Sequence, residues 1–234
     1  YALSHLAMSR LADSRGEATG QDLRILSEHT LPVASPVPAP IVVQALRRFD
    51  ETCVHLTQGQ YADMEFETRL DVGVEEYLTM IEGKTAALVG LAAELGALVA
   101  GQPPAVVSHY AAFGRDLGLA FQVKDDILGI WGEEELIGKS AATDIATGKK
   151  TLPVLYGLAH SERLRALYDR SESDEQFVGA AVALLDAVGA RAFADGHASA
   201  YSESALDHLA AAKAQGPAHA ALHELAHQLL YRKS

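Results

Sequence analysis

Apolar residues recur at three- and four-residue spacing along almost the whole chain. No stretch alternates apolar and polar residues between turn signals, as a half-buried strand would. Stripes of that period are buried by laying helix against helix. Composition agrees: 49% of the residues are hydrophobic but only 6% aromatic, and the excess is in Ala and Leu, which favour helix over sheet. A chain of 234 residues can bury a sizeable core. The expectation is an all-α fold, a single large helical bundle occupying residues 1–234.

Proline and glycine punctuate the pattern. Pro32, Pro36, Pro38 and Pro40 fall in HTLPVASPVPAPIV and predict a loop between a short helix and a long one. Its shortness favours a loop over an interdomain linker. Long helices are predicted over about 40–68, 74–100 and 103–130, the last opening at Pro103, a residue suited to a first turn. The polar, Gly-containing segment WGEEELIGKSAATDIATGKK reads as a loop. Helices then follow over about 151–170 and 174–187, with two more between about 190 and 231 that break near Gly216 and Pro217. Gly114 and Gly118, spaced i,i+4, read as a place where two helices approach closely.

A net charge of −12 repels polyanions, which argues against nucleic-acid or anionic-membrane binding and makes any anionic ligand depend on local cations. The one cysteine, Cys53, cannot form an internal disulfide and fits a reducing compartment, so the expected location is cytoplasmic. The longest apolar run, AALVGLAAELGALVAG, is interrupted by Glu94 and falls short of the ~18–20 clean residues of a membrane span. The opening YALSHLAMSRLADSRG lacks a basic n-region and reads as starting inside a helix, with no recognisable signal peptide.

Within the helical pattern, FQVKDDILGIWG places two carboxylates, Asp125 and Asp126, in an apolar run. Neighbours on a helix point about 100° apart, so the pair cannot easily grip one ion together. Asp125 instead shares its face with position 129, which is Gly. Mg²⁺ is commonly held by one or two carboxylates plus substrate phosphates, which suits such a pair. A bare pair of this kind reads more readily as an exposed acidic patch with Lys124 as a neighbour. Its company supplies the chemistry: Lys139, Asp144, Lys149, Lys150 and Thr151 lie downstream, and Lys84 and Thr85 upstream. Compact cations, a hydroxyl and metal-binding carboxylates are what a diphosphate needs to be held and to leave.

These segments, with TQGQYADMEF, EEYLTMIEGKTAALVGLAAELGALVAG, FGRDLGLAFQVKDDILGIWG and GKSAATDIATGKKTLPVLYGL in order, resemble the trans-isoprenyl diphosphate synthases of the polyprenyl synthetase family. The resemblance implies an α-helical bundle around a deep central cavity, usually as a homodimer. It implies Mg²⁺-dependent joining of an allylic prenyl diphosphate to isopentenyl diphosphate, with no covalent nucleophile. By the family's motifs, Asp125 and Asp126 coordinate Mg²⁺, Asp125 most directly. Lys84 and Lys139 hold the allylic diphosphate with Thr85 beside the reacting carbon, and Phe121 and Gln122 lie near the isopentenyl site. Lys149 matches the second GK lysine, and Gln60 and Asp63 match GQxxD. Geranylgeranyl diphosphate is the product that DDILGIWG resembles most.

Two departures stand out. The usual DDxxD reads DDILG, which implies weakened rather than abolished metal binding. The family's first aspartate-rich motif is not in these residues. The expectation is a longer enzyme whose N-terminal helices precede Tyr1, the present span alone being inactive. The rival reading is a non-catalytic partner subunit that tunes an active synthase. HELAH at His223–His227 fits the two-histidine pattern of zinc proteases, but only QLLYRKS follows, without a third ligand. GKT at 83–85 has Leu78 where a phosphate-binding loop requires Gly.

Overall fold

The computed structural model describes residues 37–69, 71–132, 142–169 and 175–230. Every regular element among them is helical. The first, α1, runs Ala39–Phe66, with Pro40 in its first turn. Next, α2 (Val74–Ile81) runs through one π turn, Glu82–Ala86, into α3 (Ala87–Val99). The central helix α4 is Pro104–Trp131, followed by the single turn α5 (Thr143–Ala146), α6 (Leu152–His160) and α7 (Glu162–Tyr168). The last three are α8 (Glu175–Ala187), α9 (Ala190–Ala211) and α10 (Pro217–Leu230). The short helix expected ahead of the proline loop lies outside the described residues.

Two expected helices are interrupted. The pattern over 74–100 is continuous, but a π turn sits inside it, where the Ala87 N–H reaches the Glu82 carbonyl. Such a turn takes one extra residue into the helix, and it gathers at functional sites. The pattern over 151–170 breaks at Ser161, whose Oγ accepts from the Leu164 N–H at 3.1 Å and so caps a new helix. Thr143–Ala146, read as loop, closes one helical turn.

The bundle is organised on α4, which packs antiparallel to α3 on one side and to α9 on the other. Against α3 the backbones nearly touch. A methyl at Gly114 would lie 2.5 Å from the Val89 carbonyl oxygen, and one at Gly118 only 2.7 Å from the Cα of Ala86, the last residue of the π turn that leads into α3. On the α9 side, Ser204 Oγ donates to buried Asp116 at 2.6 Å. The main core gathers Tyr77, Ile81, Val123, Ile127, Leu152 and Leu155 from α2, α4 and α6. A second apolar cluster, built from Phe113, Leu117, Leu209 and Leu230, seats α10. No single helix among the described residues is long and apolar enough to cross a membrane.

Candidate active site

The π turn carries Lys84 and Thr85, and glycine decides where it sits. A Cβ on Gly59 of α1 would collide with the Lys84 amide and lie 2.8 Å from the Gly83 carbonyl carbon, so α1 and the π turn cross with nothing between them. That crossing brings Lys84 Nζ to Asp63 Oδ2 at 2.5 Å, both groups partly exposed. Gln60, one turn before Asp63 on the same helix, is exposed.

From Thr85 a chain of polar groups runs inward. Thr85 Oγ1 donates to Gln122 Oε1 at 3.0 Å, and Gln122 Nε2 donates to Asp126 Oδ1 at 3.3 Å. The other oxygen of Asp126 accepts from the Tyr77 hydroxyl at 2.5 Å and from the Leu152 N–H, at the start of α6, at 3.2 Å. Asp126 is 0% exposed. Burial pushes its carboxyl up to about 6, against the pull of its donors, led by Tyr77. Burial and the facing carboxylate together raise the Tyr77 hydroxyl well above the ordinary phenol range. The motif assigns metal to both acids, Asp125 most directly; in the fold, both oxygens of Asp126 are engaged by protein donors.

Asp125 is half-buried on the face that continues to Gly129. Above Gly129 lies the carboxylate of Asp144, close enough that a Cβ at 129 would sit 2.7 Å from Asp144 Cγ. The missing third acid of DDILG is thus a glycine that admits an acid from α5. Lys149 Nζ stands 3.6 Å from Asp144 Oδ2 and is exposed. Phe121 and Gln122 are half-buried on α4 beside the same network. Lys139 lies outside the described residues.

The donor set suits Mg²⁺. Among the described residues no three His, Cys, Asp or Glu side chains converge as a closed metal cage. Two carboxylates, Asp125 on the face of Gly129 and Asp144 above that glycine with Lys149 beside it, are what a cation shared with substrate phosphates requires. Tyr77 and Asp144 are the members that pattern reading left without a role. The only sequence signal for Tyr77 was its place seven residues before Lys84, two helical turns away.

Two other features stand apart from this site. A groove of about 880 Å³ between α1 and α2–α3 is floored by Ala62, Phe66, Met80 and Leu91; Gly59 and Gly83 of the crossing line it, but none of the candidate site side chains does. His223 and His227 are exposed on α10, and the Glu224 between them accepts from Gln228 Nε2 at 2.9 Å.

Comparison with known proteins gives one consistent result. Residues 21–185 match the polyprenyl synthetase family. The chain is 40% identical over 205 residues to a (2E,6E)-farnesyl diphosphate synthase of Mycobacterium tuberculosis, covering 84% of this chain and 57% of that protein. It is 45% identical over 132 residues to a geranylgeranyl diphosphate synthase of the same organism, covering 55% of this chain and 38% of the relative. The crystal structure of a geranylgeranyl pyrophosphate synthetase from Pyrococcus horikoshii superimposes with a TM-score of 0.78 at 28% identity, over 86% of this chain and 62% of that one. A geranylgeranyl pyrophosphate synthase from Corynebacterium glutamicum, solved with isoprenyl diphosphate and magnesium, gives a TM-score of 0.73 at 25% identity, over 85% of this chain and 58% of that one. This chain therefore spans little more than half the length of the curated relatives it matches, and it belongs to the polyprenyl synthetase family.

Proposed function

We propose that the protein is a trans-prenyltransferase that lengthens an allylic diphosphate by one isopentenyl unit, and that this chain carries its diphosphate- and metal-binding helices. The observation that carries the reading is the joining of the π turn that bears Lys84 to the helix that bears Asp125, through Thr85 and Gln122, with Asp144 brought over Gly129.

Lys84 takes the allylic diphosphate, its ammonium keeping two donors beyond the one given to Asp63. Lys149 meets the same anion from the opposite side. As the allylic C–O bond breaks, the diphosphate leaves with the bonding electrons, and these fixed cations stabilise the growing charge. Asp125 and Asp144 would hold Mg²⁺, which when bound neutralises charge on the departing diphosphate. Thr85, fixed by Gln122, lines the place where the cation forms. The isopentenyl double bond then attacks that cation, and a proton is lost to give the new trans alkene and free diphosphate. Phe121 and Gln122 border the incoming isopentenyl unit.

In this reading Asp126 acts behind the site: it fixes Gln122 and the start of α6 while Asp125 faces the metal. Geranylgeranyl diphosphate is the proposed product, and the proposed working enzyme is a homodimer. The test is to incubate the full-length protein with Mg²⁺, isopentenyl diphosphate and farnesyl diphosphate and to separate the products by chromatography. A C20 product supports the reading. Failure to turn over any allylic diphosphate unless an active synthase is added would favour a tuning subunit instead.

A further inference from the structure

The last carbonyls of an α-helix have no N–H partner four residues on. At the end of α1 two of them, on Phe66 and Glu67, accept from one distant side chain: Lys150 Nζ lies 2.8 Å from each oxygen. The negative end of the helix dipole favours a cation there. Two residues on, the Leu152 N–H is held by buried Asp126 of α4. The backbone from Lys150 to Leu152 is thus pinned at one end to α1 and at the other to α4.

Immediately upstream is the turn that brings Asp144 over Gly129. It closes with the Lys149 N–H donating to the Asp144 carbonyl at 2.9 Å. On α1, one turn before the carbonyls that Lys150 grips, stands Asp63 with its partner Lys84. One side chain therefore sets the distance between the Lys84 side of the site and the Asp144–Lys149 side.

We propose that Lys150 is a positioning residue: by capping the C-terminus of α1 it holds Asp144 and Lys149 in register with Asp125 and Lys84, without itself touching substrate. This rests on the diphosphate-binding reading above, and the experiment separates the two. In the full-length protein, binding of inorganic pyrophosphate is followed by calorimetry across a Mg²⁺ series. Amide hydrogen exchange over residues 143–149 is measured in parallel without metal.

Lys150→Met is expected to raise the Mg²⁺ concentration for half-maximal pyrophosphate binding about tenfold, as losing an outer support of a metal site commonly does, and to speed exchange over 143–149. Lys150→Arg, which keeps the donors, should restore most of both. Should the Met variant not fold, Lys150→Gln carries the same comparison. A Lys150→Met protein that melts earlier while its Mg²⁺ requirement and its exchange stay at wild-type levels overturns the proposal, because Lys150 is then only a helix cap. So does an Arg variant as impaired as the Met one. Weakening by Asp125→Asn but not by Lys150→Met overturns this inference and leaves the functional reading standing. Wild-type protein that binds no pyrophosphate with Mg²⁺ overturns that reading and this inference with it.

Discussion

Replacing Tyr77 by Phe removes one hydroxyl and takes the closest donor, at 2.5 Å, from a carboxylate that is 0% exposed. A hydrogen bond to a buried charge contributes roughly 1.5–3 kcal/mol, so the variant should lose about 2 kcal/mol where Asp126 is ionised. The loss is pH-dependent. Asp126 has a folded-state pKa of about 6 against an ordinary 3.8. Between those values the native state binds more protons than the unfolded one. Its stability therefore falls as pH rises through that window, by about 3 kcal/mol in all, and levels off above it. The Tyr77 bond holds the pKa down, so Tyr77→Phe raises it and extends the fall to higher pH. The cost of the substitution is then small near pH 5, where Asp126 is largely protonated, and reaches its full value near pH 8. Urea unfolding followed by circular dichroism at both pH values measures the difference. Equal losses at the two, or a loss below about 0.5 kcal/mol at pH 8, would refute the account of Asp126 as a buried carboxylate held by its donors.

Lys84→Ala should cost less than about 1 kcal/mol in stability, because the Lys84–Asp63 pair is partly exposed. The same variant should bind Mg²⁺-pyrophosphate at least about tenfold more weakly; a change in melting temperature without that loss would contradict its placement. Gly59→Ala should destabilise by about 1–3 kcal/mol, since the added methyl has only backbone to meet. An unchanged thermal midpoint would show that α1 and the π turn do not cross so closely. Gly129→Ala should displace the Asp144 carboxylate and raise the Mg²⁺ requirement for pyrophosphate binding, and calorimetry showing unaltered Mg²⁺ dependence would remove Asp144 from the site. Gly129→Asp should displace Asp144 in the same way but put its own carboxylate in that place, so its Mg²⁺ dependence should shift less than that of the Ala variant, and an equal or larger shift would contradict this.

Much of the architecture was legible along the chain because helical signals are local. The spacing of apolar residues, proline in first turns, and Gly189 at φ 73° ahead of α9 depend on a few neighbours. The breaks it hid are local too, but quiet: a π turn differs from the helix around it by one step of hydrogen bonding, and Ser161 becomes a cap only when the chain before it bends. The site divides in the same way. That carboxylates, lysines and a threonine occur in this order, and that Asp125 and Asp126 point about 100° apart, is decided by sequence and helix geometry alone. Which of the two acids is buried is not. It depends on Tyr77, 49 residues before Asp126, and on the Leu152 amide, 26 residues after it. DDILG looked like a motif short of one acid, and only the return of the chain puts Asp144 over Gly129. Motif order is a property of the covalent chain, whereas burial and convergence belong to contacts between distant segments, so they are settled only when α1, the π turn, α4 and α6 have packed.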